Sequence, residues 1–591
     1  MRAQFRTRIR IVFGGIVLVA TLIFVRLYFI QIVHHQDYAD KADRQFSSGG
    51  STLFDRGSIY FSDRDGTLIS AAALSSGFLV ALNPQTITDP EAAYAVIAAA
   101  ASTTMSMTHD AFIAAAAKKS QVYIEVAHHL TDAAGEALAL QDLPGIEVLR
   151  ERWRQYPGNA LASNTIGIVS YGSGDTLAGR TGLEAAYDGP LTRSGDSLYQ
   201  NFFAELFSNV GNLLVNARSA KEGDVVTTIE PEVEMRLASD LAKVNEKYSS
   251  KESGGIIMDP ATGEIVALAT YPTYDANALQ SVDPTLLGNP LVEHVYEFGS
   301  IVKALTMTAG LSAGVITPET TYNDTGCITV NNASICNWDH KARGVIPMGQ
   351  VIEQSLNVGA SWVATQLGQQ KFHDYFTTLF GQKTGVDLPG EGRSLLANLS
   401  SKEQVNYDNM SFGQGIAVTP IQMIRAEGAI ANGGVMVTPH VASAIRLDSG
   451  ITRTLDWGTT TPVFSPVAAR ETTQMMTAMV DEKLQNGKAK IPTLSVAAKT
   501  GTAQLVDGKG GYYADRYFHS FVGFFPSYHP RFIILLYTND PQHVTYASET
   551  LDDTFLDLVH FLIDYYQIPP DRGVASPNGS LQATTTRTGV Y

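Results

Sequence analysis

Cysteine is almost missing from this chain, with two residues in 591. So low a count excludes a disulfide-built scaffold and any four-thiolate zinc site. The thirteen histidines fall in no HExxH pattern and no ligand-like pair spacing, so no metal centre is expected. His128 and His129 are adjacent, which reads as opposite faces of a strand. There is no Walker-type phosphate loop and no dinucleotide fingerprint, and no cofactor is expected. Basic charge is also short: the net charge is -16 and no basic stretch follows the N-terminal arginines, which excludes nucleic acid as a partner. Internal repeats are absent. Whatever chemistry the chain performs must come from ordinary side chains.

One long apolar run is present. Ile11 to Val25 carries no charge and the pattern resumes from Leu27 to Val33 after Arg26. The 23 residues span roughly 34 Å as a helix, enough for a bilayer core of about 30 Å. Arg2, Arg6, Arg8 and Arg10 precede the run and no Lys or Arg follows it up to Ala39. That asymmetry places the N-terminus in the cytoplasm and the rest of the chain outside. No small-x-small cleavage site closely follows, so an uncleaved single-pass anchor in the cell membrane is expected rather than a signal peptide. The expected organisation is a cytoplasmic N-terminus (1–10), an anchor (11–33), an α+β pedestal (43–215), a second domain (222–568) and a polar, disordered tail (569–591). In the second domain strand-like runs stand at both ends and helices between them, an α/β sandwich with a discontinuously built sheet.

Chemistry concentrates in that domain. SIVK, from Ser300 to Lys303, is the one place where a serine stands three positions before a lysine. Ser300 to Leu311 reads as a helix, so the hydroxyl and the amine share a face, and Gly299 puts them at its N-terminus, where a cation is disfavoured. A neutral lysine beside a serine is a base beside a nucleophile. Ser355 and Asn357 (SLN) sit in MGQVIEQSLNVGASWVATQL, a helical pattern that reads as broken by Gly359. Lys499, Thr500, Gly501 and Thr502 (KTGT) follow the strand-like TLSVAA, as on an edge strand that binds peptide. A second KTG at Lys383, Thr384 and Gly385 has no strand leading in and reads as a loop. A second SxN, Ser576 to Asn578, falls in the polar tail.

SxxK, SxN and KTG in this order resemble the penicillin-binding proteins and related β-lactamases. The likeness extends along the chain through FDRGSIYFSDRDGTLIS, ERWRQYPGNALASNTIGIVSY, GLEAAYDGPL, GGIIMDPATGEIVALATYPTYDAN, NWD at Asn337 to Asp339, SFGQGIAVTPIQM and HSFVGFFP. Together these resemble a class B penicillin-binding protein, a monofunctional peptidoglycan D,D-transpeptidase of division or elongation. One departure is Phe298 where the family usually has proline before Gly-Ser. The resemblance implies a penicillin-binding-protein/β-lactamase-like domain with a central antiparallel sheet flanked by helices. It also implies serine acyl transfer from D-Ala-D-Ala stem peptides to an acceptor amine. Ser300 would be the nucleophile and Lys303 its base, with Ser355 and Asn357 relaying protons and holding Lys303. Lys499, Thr500 and Thr502 would bind the terminal carboxylate, and the N–H groups of Ser300 and Thr502 would form the oxyanion hole. β-Lactams would trap Ser300, and a polytopic SEDS-type glycosyltransferase with other division or elongation proteins would be partners. A membrane-bound β-lactam sensor or a catalytically idle scaffold of the division machinery stands as the alternative, and a carboxypeptidase or β-lactamase as the hydrolytic one.

The two cysteines frame ITVNNASI. Asn331 and Asn332 suit the positive φ angles of a type I′ turn, and counting outward from it pairs Cys327 with Cys336 at a Cα separation of about 4.5 Å. A disulfide is expected there.

Overall fold

The computed structural model describes residues 55–101, 104–171, 177–193, 222–458 and 460–573. The apolar run 11–33 and the second SxN lie outside them. Among the described residues no helix is long and apolar enough to cross a membrane. They form two compact units, residues 74–153 with Asp55, and residues 56–73 with 154–573.

In the smaller unit the alanine-rich segments are helices, as their composition predicts. Pro90–Ala100, His109–Ala116 and Asp132–Ala139 each start at a side-chain cap, with Asp89, Thr108 and Thr131 accepting from the N–H groups of Ala92, Ala111 and Ala134. They bury Ile97, Phe112 and Leu138 among Phe78, Val80 and Val126. His128 and His129 do not split across a sheet. In the strand Ile124–Leu130, His129 takes a φ of 57°, which breaks the alternation and leaves the two rings 6.1 Å apart. His128 bonds Glu151 and His129 stacks on Trp153.

The larger unit gathers three of the sequence landmarks into one ion cluster. Arg56 and Arg154 each reach a different oxygen of the fully buried Glu184 at 2.6 Å. Asp188 takes the second arm of Arg56 at 2.7 Å. Removing Glu184 would leave the buried Arg154 without its carboxylate, which costs about 3–5 kcal/mol.

The same unit carries a five-stranded sheet covered by helices. Helix α1 (Pro231–Tyr248) leads into the antiparallel hairpin of strands β1 (Glu252–Met258) and β2 (Ile265–Tyr271). Helices α2 (Val302–Ser312), α3 (Gly349–Glu353), α4 (Asn357–Leu367) and α5 (Pro420–Ala431) come from the middle of the sequence. The chain returns with β3 (Ala497–Val506), β4 (Tyr512–Phe525) and β5 (Phe532–Asn539), then α6 (Asp552–Tyr566). The five strands are antiparallel in the order β3-β4-β5-β1-β2, so β3 with KTGT is an edge strand.

Alternation along the strands divides the core. Ile257, Ile534 and Leu536 pack with Leu237 of α1 and Phe555 of α6. Ile256, Ile533 and Leu535 pack with Leu305 of α2 and Ile424 of α5. A sheet covered on both faces needs apolar residues at every position, which is why β5 reads as the unbroken run FIILLY. Beyond Tyr566 the chain is still tied down at Asp571, whose carboxylate accepts from Ser495 N–H at 2.7 Å, and at Arg572, which pairs with Asp481 at 2.8 Å.

Candidate active site

Phe298 sets the approach to SIVK. It is buried, edge-on to Phe518 at 5.3 Å, and its carbonyl accepts from Ser520 Oγ at 2.7 Å. Packing thus fixes a corner where the family usually has a proline. Gly299 follows with a φ of 60°, and a Cβ there would stand 2.5 Å from the Thr502 carbonyl, so only glycine lets the serine turn abut β3. Ser300 lies in a 3-10 turn, Gly299–Ile301, that runs directly into α2. The predicted helix is present with its first turn tightened.

Lys303, one turn on, is 1% exposed. Its Nζ lies 3.0 Å from Ser300 Oγ, 2.7 Å from the Ser355 carbonyl and 3.2 Å from Ser355 Oγ. From the other side Lys499 Nζ donates to Ser355 Oγ at 3.0 Å and to the Thr500 carbonyl at 2.9 Å. One unbroken chain of contacts therefore runs Ser300, Lys303, Ser355, Lys499. Burial pushes the Lys303 amine well below its ordinary range, and the charge of Lys499 lowers it further. The direction agrees with the sequence reading, but its causes are burial and a second cation. Lys499 is lowered to about 7, burial outweighing the opposing pull of Glu427 and Asp552.

Ser355 reaches this position through a break that the sequence reading places about one turn too late. The interruption is Ser355 itself, with a φ of 56°, between α3 and α4. Gly359 sits inside α4, where a Cβ would stand 2.4 Å from a Val351 methyl. It is the close packing of the two helices that needs the glycine. Asn357 opens α4 and its amide donates to the Cys336 carbonyl at 2.8 Å, while the hydrogen bonds holding Lys303 come from Ser355.

The expected hairpin is present residue for residue. Val330 faces Ala333, Cys327 faces Cys336, and Asn331 and Asn332 have φ of 47° and 64°. The disulfide closes it with the Cα atoms 4.1 Å apart. Asn337, next along the chain, anchors it by donating to both oxygens of buried Asp324 at 2.9 and 3.0 Å and accepting from Val358 N–H.

These elements enclose a cleft of about 570 Å³ lined by Ser300, Ser355, Asn357, Thr500 and Thr502, with Trp338 and Tyr546 among its other walls. Thr500, Thr502 and Gln504 reach it from alternate positions of β3. Gly501 between them faces Ser520 Oγ and the Phe298 carbonyl, at 2.3 and 2.5 Å from where a Cβ would be. All eight residues singled out in the sequence are thus drawn into one place, with Lys303, Lys499 and Gly501 beneath the surface that the others form. The copy at Lys383 is not: Thr384 N–H donates to Glu391 in a loop.

Two acids were missed by sequence reasoning. Glu427, in α5, is fully buried with neither carboxyl oxygen hydrogen-bonded among the described residues, and burial drives its pKa well up. A glutamate between Ile424 and Ile430, on a helix whose other polar side chains are Gln422 and Arg425 alone, was the available signal. Asp552, first residue of α6, is raised to about 7 by burial and by Asp553. Its place in LDDTF reads as ordinary helix-start chemistry.

The family model for the penicillin binding protein transpeptidase domain matches residues 254–559, and that for the penicillin-binding protein dimerisation domain matches residues 53–199. Among similar proteins, penicillin-binding protein PbpB of Mycolicibacterium smegmatis is 27% identical over 79% of this chain and 73% of its own length. Stage V sporulation protein D of Bacillus subtilis is 27% identical over 89% of this chain and 80% of its own. The fold is shared with penicillin-binding protein 3 of Mycobacterium tuberculosis complexed with aztreonam, at a TM-score of 0.64, 23% identity, and coverage of 90% of this chain and 99% of that one. Penicillin-binding protein 2X of Streptococcus thermophilus aligns with a TM-score of 0.69 at 21% identity, over 87% of this chain and 80% of that one.

Proposed function

Because the chain belongs to the penicillin-binding-protein transpeptidase family, we propose that it is a serine D,D-transpeptidase that cross-links peptidoglycan stem peptides and is acylated by β-lactams. The observation that carries this is the contact chain from Ser300 through Lys303 and Ser355 to Lys499, with both lysines buried. Two ammonium groups sharing one hydroxyl in the interior repel each other, so Lys303 is the one held neutral and Lys499 carries the charge. Neutral Lys303 takes the Ser300 proton as Oγ attacks the carbonyl of the penultimate D-Ala. The terminal D-Ala leaves as an amine, protonated through Ser355, and an acceptor amine then displaces Ser300 from the ester.

The donor lies along the free edge of β3, adding its backbone to the sheet. Its terminal carboxylate meets the Lys499 charge and the Thr500 and Thr502 hydroxyls. The N–H groups of Ser300 and Thr502 hold the oxyanion, donors of a kind that contribute about 3–4 kcal/mol each. Asn357, fixed by the Cys336 carbonyl, positions the donor amide. The enzyme works on the outer face of the cell membrane, anchored by residues 11–33, beside a polytopic SEDS-type glycosyltransferase of the division or elongation machinery. The arginine asymmetry around the apolar run supports that placement.

Two measurements test the reading. Fluorescent penicillin should label the wild-type chain and not Ser300→Ala, and undiminished labelling of the variant would sink the assignment of the nucleophile. Given an N-acyl-D-alanyl thioester and an acceptor amine, the enzyme should form the amide. Hydrolysis alone would mark a carboxypeptidase, and acylation without turnover a sensor.

A further inference from the structure

The cleft over Ser300 is polar without being charged. Lys303 and Lys499 are buried beneath it, and among the described residues no Asp, Glu, Lys or Arg side chain forms its lining. Beyond Thr502 it carries two carboxamides instead. Gln504 follows Thr500 and Thr502 on the same face of β3, and Gln414 follows Gly413, whose Cβ would stand 2.2 Å from the Gly299 carbonyl. Gly299 in turn abuts the Thr502 carbonyl, so the two amides flank the serine turn.

Both are half-buried and incompletely bonded. Gln504 Nε2 donates to the Tyr513 carbonyl at 3.1 Å, which leaves its Oε1 to accept, and the Gln414 amide has no hydrogen bond among the described residues. The Tyr513 carbonyl comes within reach because Tyr513, Ala514, Asp515 and Arg516 of β4 stand against Leu505 alone. A bulge beside an active site re-aims a side chain in this way. Its charges stay out of the cleft: Arg516 pairs with Asp540 at 3.0 Å, and Asp515 is exposed outside the lining.

A donor whose carboxylate is held at Thr500 and Thr502 runs from there toward Gln504. At about 3.4 Å per residue, the residue two before its C-terminus lies about 6.8 Å back, one step from Thr502 to Gln504. We infer that Gln504 and Gln414 select the donor by the side chain of that residue, and that they take a tip ending in a carboxamide rather than a carboxylate or an ammonium. This rests on the transpeptidase reading. A carboxamide donates to Gln504 Oε1 and accepts from Gln414 Nε2. A carboxylate has only acceptors and meets the Gln504 oxygen, while an ammonium is desolvated with no countercharge and with the Lys499 charge below it.

The test uses the full chain and three N-acetyl-X-D-alanyl thioesters of thioglycolate, in which X is glutamine, glutamate or lysine and the leaving group keeps the terminal carboxylate. The readout is the ratio of kcat/KM between donors on one preparation, so the folded fraction cancels. Wild type should prefer the glutamine donor about tenfold over the other two, the scale of one or two neutral hydrogen bonds. Gln504→Ala and Gln414→Ala should each narrow that preference to about threefold or less. Gln504→Glu should turn it toward the lysine donor, which a merely structural role would not do. The three variants cover one another should one fail to fold. An equal or opposite preference in the wild type, or the wild-type preference kept in every active variant, would overturn the selection alone. Absence of penicillin labelling at Ser300 in the wild type would instead overturn the underlying function.

Discussion

The same three residues occur twice in this protein and do different things. Lys499-Thr500-Gly501 lies on an edge strand, its lysine buried and bonded to Ser355. Lys383-Thr384-Gly385 lies in a loop, its lysine exposed and its threonine N–H satisfied by Glu391. Even the two glycines are required for unlike reasons. Gly385 has a φ of 84°, which side chains resist, and the space around its missing Cβ is adequate. Gly501 has no such angle, but a backbone carbonyl and a hydroxyl occupy the volume a methyl would need. A motif acts through the strand that carries it and the low dielectric around it, not through its letters.

The largest effect expected from this contrast is on acylation. Lys499→Ala should slow acylation by fluorescent penicillin by about 10³-fold, the scale of losing a positioned proton-transfer and charge-binding group. Lys383→Ala should stay within about threefold of wild type, since exposed substitutions away from such features change little. The reverse ranking would show that the loop copy serves the site.

Gly501→Ala should cost about 10²-fold in the same assay, because β3 and the Phe298 turn must separate to admit the methyl and misplace Ser300. In Gly385→Ala the loss should fall on stability, about 1–2 kcal/mol in chemical denaturation, with labelling retained. Equal losses of labelling would collapse the distinction between a packing glycine and a conformational one.

Acidity offers a third contrast. Lys499 is lowered to about 7, so its charge is present below that pH and lost above it. For a donor ending in a carboxylate, kcat/KM should fall about tenfold per pH unit on the alkaline side. The acid limb belongs to Lys303, which must be neutral to act and whose own pKa is also depressed. Lys499→Ala should erase the alkaline limb and move the acid one to higher pH, because the Lys499 charge helps to lower Lys303. An alkaline limb that persists in the variant would assign it elsewhere.

The smallest effect is that of the disulfide. Replacing Cys327 and Cys336 with serine should lower unfolding stability by about 2–3 kcal/mol on the chain-entropy model for a short loop. Acylation should slow a few-fold, because the Cys336 carbonyl fixes Asn357. Two reactive thiols in the unreduced, denatured protein would show that no bridge forms.

The sequence by itself determined the parts whose physics is local. Spacing of three residues put Ser300 and Lys303 on one face, Asn331-Asn332 specified the turn and thereby the pairing of the cysteines, and the strand before Lys499 separated it from its copy. Tertiary structure decided what depends on distant chain. It made the break at Ser355 rather than at Gly359, because a φ of 56° is sustained only where the Ser355 carbonyl and hydroxyl both meet Lys303. It brought Lys499, 144 positions from Ser355, to within 3.0 Å of it. It also set buried Glu427 and Asp552 acting on that lysine, which no local pattern announced. Helix and turn signals operate over a few residues, whereas the charge state of a buried amine answers to every group that folding places around it.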